Sequence, residues 1–149
     1  MNDEIQNTLY REGMQLASIK KRSMAFFIDE MLLSLVLMIA LWDNFSKPMT
    51  LEETILLTNT FVLEYMMMKV IYQAFFVMHY GASIGKLAMK IKVIEIRTLE
   101  YPNVLSSLNR SIFRVISELV FYLGFLWGVF DPVHQTWHDK TAKTLVVDV

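Results

Sequence analysis

The sequence predicts an all-α membrane protein carrying a small two-stranded β element outside the bilayer. Two apolar runs, 24–42 and 55–79, are each long enough at about 1.5 Å per residue to approach or exceed a hydrocarbon core about 30 Å thick. The 149 residues are 54% hydrophobic and only 19% charged, with 10 Phe and 11 Met, which is too apolar for an ordinary soluble domain. The alternating "IKVIEI" and the closing "TLVVDV" carry the period of strands rather than helices.

The elements follow in order. A polar segment, 1–20, leads into "KKR", Lys20 to Arg22, and then into the first span, which ends at the interfacial Trp42. No small-residue cleavage site follows that run, so a removable signal peptide is not expected. The polar loop "DNFSKPMTLEET" separates it from the second span. A Gly-punctuated basic stretch then leads to a strand at about 91–96, expected to pair with 144–149. The third apolar region, 104–130, is mixed. Ser107, Arg110, Ser111, Arg114 and Glu118 share one helical face in its first half, and "LVFYLGFLWGVF" in the second is apolar but short. Roughly 27 residues cannot make two spans of about 20 each, so an interfacial helix followed by a short or re-entrant one is expected. Neither a repeat nor a linker interrupts 1–149, which reads as a single domain.

Orientation comes from the basic residues. Lys20, Lys21 and Arg22 precede the first span, and Lys86, Lys90, Lys92, Arg97 and Arg110 follow the second, while the intervening loop is acidic. The positive-inside rule then places the N-terminus in the cytoplasm and the 43–54 loop outside. Pairing of the two strands would hold the C-terminal tail inside as well.

Charged side chains within a span are costly and therefore informative. Asp29, Glu30, Glu64, Lys69 and Glu118 are of this kind. Arg22 and Asp29, seven apart, share a helix face about 10.5 Å apart along the axis. Tyr65, Lys69, Tyr72 and Gln73 form a polar stripe that can look across at Asp29 or Glu30, so Arg22 and Lys69 are the expected partners of the acids. Two readings stay open: a structural Asp29–Lys69 ion pair fixing helix register, or an ion or proton site. Glu30 could simply snorkel to the interface. Glu64 has no cation on its own face, since Lys69 stands about 140° around the helix, which makes it a candidate proton carrier.

Other chemistry is weakly represented. "GASIGK" is one residue short of a phosphate loop and has Leu87 where a hydroxyl is needed. His134 and His138 with Asp131 and Asp139 have metal-ligand types but sit in a Pro-containing tail, and no metal or cofactor is expected. A net charge of −1 gives no nucleic-acid footprint, and zero Cys removes thiolate chemistry. No nucleophile set argues for an enzyme.

Four stretches in order resemble one family. "KRSMAFFIDEML" resembles the start of RDD-family membrane proteins, with an Arg before the first helix and an Asp inside it. "GASIGKLAMKIKVIEI", "LNRSIFR" and "FDPVHQTWHDKTAKTLVV" are similar to that family's middle segment, its Arg before the last apolar region, and its closing motif. Lys90 stands near where the family often has a second Gly, and Gln135 where its tail is usually basic. The resemblance implies signature residues Arg22, Asp29 and Asp139, with Arg110 a further frequent position. It also implies a multi-pass protein of the bacterial inner membrane, and monovalent cation/proton antiport is suggested for some members. The expectation is therefore a cation/proton antiporter or a transport subunit working through Asp29 and Glu64, as a homo-oligomer or with a membrane partner. The alternative is a non-enzymatic scaffold or accessory protein whose polar residues are structural. Arg22, Asp29 and Asp139 are expected to meet at the cytoplasmic face.

Overall fold

The Ser18 hydroxyl accepts from the Lys21 N–H and so starts the first long helix at Ile19, five residues before the purely apolar run begins. In this computed structural model, which describes residues 2–149, the helix is α2 (Ile19–Ala40), and it follows a short α1 (Asn2–Arg11). Trp42 is not the end of α2. It opens a separate single turn, α3 (Trp42–Phe45). A Thr50–Glu53 capping box starts α4 (Leu51–Tyr80), four residues earlier than the hydropathy alone implies. Gly81 ends α4 in the left-handed region at φ 67°, where a Cβ would lie 2.4 Å from the Tyr101 ring.

Both α2 and α4 are long and apolar enough to cross a membrane. Phe27, Met31, Leu35 and Ile39 step along α2 at four-residue intervals and all point outward. A continuous apolar stripe on the outside of a protein of this kind faces lipid rather than water.

After α4 come α5 (Ile84–Ala88) and β1 (Ile91–Glu95), then α6 (Val104–Leu119), α7 (Leu123–Phe130), α8 (Trp137–Ala142) and β2 (Thr144–Asp148). The expected third region is thus two helices bent by 104°, the break being made by Phe121 and Tyr122, both at positive φ. Beyond α7 the chain returns to the β element.

The strands pair antiparallel with Ile91 opposite Asp148 and Glu95 opposite Thr144, one residue shorter at each C-terminal end than the sequence suggested. Both faces of this ribbon are covered. Ile94, Leu145 and Val147 pack on Ile5 and Leu9 of α1, while Ile91, Val93 and Val146 pack on Ala17, Ala25 and Val77. The polar leader is therefore not a plain tether: its two buried residues, Ile5 and Leu9, spaced i, i+4, dock it as a helix. The start of α2, the end of α4 and both chain ends consequently lie at one end of the molecule.

Candidate functional site: a charge ladder along α6

α6 packs along α4 and α8, and its face presents Arg110, Arg114 and Glu118 at four-residue steps. Each step is one turn, about 6 Å, so the three side chains form rungs from the β end toward the middle of the bundle.

Asp139 is the first rung's centre. It caps its own helix, accepting from the Thr136 N–H at 3.0 Å and the Thr136 hydroxyl at 2.7 Å. Fully buried, it also pairs with the guanidinium groups of both Arg22 and Arg110. Arg22 donates additionally to the His134 carbonyl, and Arg110 to the Thr144 hydroxyl at 2.7 Å. Burial opposes ionisation of Asp139, but Arg110 and Arg22 outweigh it and hold the carboxyl well below the usual range.

Asp29 centres the second rung and is also fully buried. One oxygen accepts from Tyr72 Oη and the Gly85 N–H, both at 2.8 Å. The other accepts from Ser83 Oγ at 2.6 Å and Gln73 Nε2 at 3.1 Å, with the Arg114 guanidinium 3.8 Å away. Gly85 is required here because a Cβ would sit 2.1 Å from the Ala25 carbonyl oxygen and 2.8 Å from Asp29 Oδ1. The expected Arg22–Asp29 axis is not formed, since Arg22, two turns nearer the β end, reaches Asp139 instead.

The third rung is Lys69, about 16 Å in from the end of α4. Its ammonium lies 2.8 Å from Glu30 and 2.5 Å from Glu118. Tyr65 Oη donates to Glu30 at 3.3 Å. Arg114 stands 3.8 Å from Glu30 and 3.7 Å from Glu118, bridging the second and third rungs. Among the described residues, the remaining oxygens, Glu30 Oε1 and Glu118 Oε1, are buried without a hydrogen bond. Glu30 therefore does not snorkel to the interface, because a buried lysine holds it inward.

Lys86 comes from the "GASIGK" stretch. Its ammonium is buried and touches Gln73 Oε1 at 3.5 Å. Burial, with Arg110 and Arg114 nearby, pushes its pKa well below that of an ordinary lysine. Glu64 joins none of this: it lies on the exposed face of α4 beside Met67 and Ile71. Among the described residues no set of three acids or histidines is arranged to hold a metal. His138 is buried against Phe125 and shares a 2.9 Å contact with the Thr136 hydroxyl, and Asp131 pairs with Lys140 at 2.5 Å.

The RDD family profile matches residues 16–143, which contain every rung of the ladder. The chain belongs to the RDD family. It is also 32% identical over 69 residues to the proline-rich antigen homolog of Mycobacterium tuberculosis, in both strain CDC 1551 / Oshkosh and strain ATCC 25618 / H37Rv. That alignment covers 46% of this chain and only 29% of each relative, so this chain spans under a third of the curated proteins it matches. No solved structure matches.

Within this RDD protein, Arg22, Arg110 and Asp139 form one rung and Asp29 the next. Sequence reasoning did not assign roles to Arg114, Lys86, Ser83 and Gly85, and it named Glu118 only as a charged residue within an apolar region. For Arg114 and Glu118 the signal was present, as their steps of four and eight residues from Arg110 along the polar face of an amphipathic helix. For Ser83 and Gly85 it was only their position in the small-residue turn.

Proposed function

We propose that this RDD membrane protein exchanges monovalent cations for protons, with Lys69, Glu30 and Glu118 as the exchange site. The supporting observation is the Lys69 ammonium shared by two carboxylates, each of which keeps a buried oxygen without a hydrogen bond. Oxygen ligands of this type suit a hard monovalent cation, and the pair already holds one positive charge. When a cation takes the place of the ammonium, Lys69 gives up one proton and remains neutral. One charge enters and one leaves, so the site stays electrically balanced at every step. In this proposal Asp29 and Asp139 organise the bundle and do not carry ions, and Glu64 faces lipid or a second subunit. Two spans and a re-entrant pair are few walls for a pathway, so the working unit is a homo-oligomer or includes a membrane partner. Its setting is the bacterial cytoplasmic membrane.

Purified protein in sealed vesicles is the test. A Na⁺, K⁺ or Li⁺ gradient should drive proton movement that Lys69→Gln and Glu118→Gln abolish and Glu64→Gln leaves within about twofold. Absence of flux with the parent protein, or full flux in both variants, overturns the proposal.

A second reading has its own support. All the acceptor positions of Asp29 are occupied by protein donors, as expected of a structural hub in a scaffold or accessory protein. A stoichiometric membrane partner on purification, combined with no flux, would favour it.

A further inference from the structure

Away from the exchange site, a cavity of about 230 Å³ opens between α2, α5, α6 and α7. Its polar wall is Arg22, Lys86, Arg110, Arg114 and His138. Phe26, Phe125 and Leu126 form its apolar side, and the exposed face of Leu126 belongs to the outer surface of the bundle. Such a volume is below the usual range for a drug-sized ligand, about 300–1,000 Å³, and suits a compact headgroup.

The charges of this wall are incompletely neutralised. Arg22 and Arg110 share the single carboxylate of Asp139. Arg114 stands 3.7–3.8 Å from Asp29, Glu30 and Glu118, beyond hydrogen-bond distance of each. Lys86 is only 7% exposed, and among the described residues no carboxylate comes within 4.0 Å of its ammonium. Asp29 also lines the cavity, but its oxygens are filled by the donors already described. Among the described residues, His138 Nδ1 is buried there without a hydrogen-bond partner. Four buried basic side chains, Lys69, Lys86, Arg110 and Arg114, and the half-buried Arg22 thus meet four carboxylates, and the base without a carboxylate, Lys86, lies on the cavity. Burying an unpaired charge is costly, so such a wall either gives up the proton of Lys86 or takes in an anion.

We propose that this cavity binds a phosphate-type oxyanion, with the apolar side accommodating a chain attached to it. The guanidinium forks and the ammonium supply charge-assisted donors converging from three helices, the recurring chemistry of phosphate recognition. A bound anion would also favour the charged form of Lys86, which burial beside two arginines opposes. The anion has two possible sources, a bilayer phospholipid and free phosphate. They differ in whether they use Phe26, Phe125 and Leu126.

The experiment is thermal unfolding of the full chain in a neutral detergent. It is titrated separately with inorganic phosphate, with short-chain dihexanoyl-phosphatidylglycerol, and with an uncharged dihexanoylglycerol of the same tails. The charged lipid should give saturable stabilisation that the uncharged one lacks. Inorganic phosphate acting alone at similar concentration would assign the same site to the soluble anion. Lys86→Met should weaken the effect at least tenfold while leaving the ligand-free melting temperature unchanged or higher, since it removes a buried amine that no carboxylate pairs. Where Lys86→Met does not fold, Lys86→Gln makes the same test. The proposal is overturned if neither charged probe gives a saturable shift, or if the Lys86 variant binds as tightly as the parent.

Discussion

Asp29 and Asp139 are both fully buried acids, yet they are neutralised in different currencies. Asp139 is matched by two guanidinium groups, whereas Asp29 is matched mainly by neutral donors from α4 and the 83–85 turn. Asp139→Asn should therefore strand Arg22 and Arg110 in a buried site and cost about 3–5 kcal/mol, the range for breaking a buried pair from one side. Loss of a cooperative melting transition in detergent would register it. Gly85→Ala acts on the neighbouring rung by sterics. A methyl 2.1 Å from a backbone carbonyl cannot be absorbed by a rotamer change, so α5 must move off α2 and release Asp29. His138 carries the pH dependence of this region. Burial, helped by Arg110, Arg22 and Arg114 and opposed by Asp139, pushes its pKa well below the usual value. The unfolded chain takes up a proton below about pH 6.5 and the folded chain does not, so stability is full above that pH and falls as the pH drops through it. Melting temperatures between pH 5 and 8 should show this decline in the parent protein and a flatter profile in His138→Gln.

At the scale of elements, α1 and the α6–α7 break show what a sequence exposes and what it conceals. Ile5 and Leu9 are the only aliphatic residues of a decamer that otherwise reads as solvated leader, yet they close one face of the β ribbon. Leu9→Ala should cost about 2–5 kcal/mol of local stability, seen as earlier hydrogen exchange at Ile94 and Leu145 with the spans unaffected. The two spans were legible because apolar length is a strong signal in a bilayer, and the strands because alternation is. The polar face of α6 was legible too, since five hydrophilic residues recur at helical spacing. Which acid would meet which base was not. Arg22 lies on the face of Asp29 but nearer the β end, and only the return of the chain through α8 shows that Asp139 takes it. The bend itself rests on Phe121 and Tyr122 in left-handed backbone, positions where turn chemistry would have put Gly or Asn.

At the scale of the whole molecule, the β ribbon decides the topology. β1 follows α4 and β2 ends the chain, and the Leu16–Val147 bridge and the Ala17 N–H to Val146 carbonyl bond fasten the start of α2 to the same ribbon. A ribbon cannot be paired across a bilayer, so both termini must share one side. Under the proposed cytoplasmic-membrane setting, the positive-inside rule applied to Lys20, Lys21 and Arg22 at that end, with Lys86, Lys90 and Lys92 beyond α4, predicts a cytoplasmic side for it. On that prediction α2 crosses outward, α4 returns, and the α6–α7 pair begins and ends on the side of the ribbon. The chain has no cysteine, so single Cys residues introduced at exposed positions report sidedness without background. Ser46→Cys, in the loop after α3, should react with a membrane-impermeant maleimide added to intact cells. Glu12→Cys and Lys143→Cys should react only once the membrane is permeabilised. Labelling of Lys143→Cys from outside, with Glu12→Cys still protected, would mean that α6 and α7 together make a third crossing. In that case β1 could not pair with β2, Asp139 could not reach Arg22, and the first rung of the ladder would not exist.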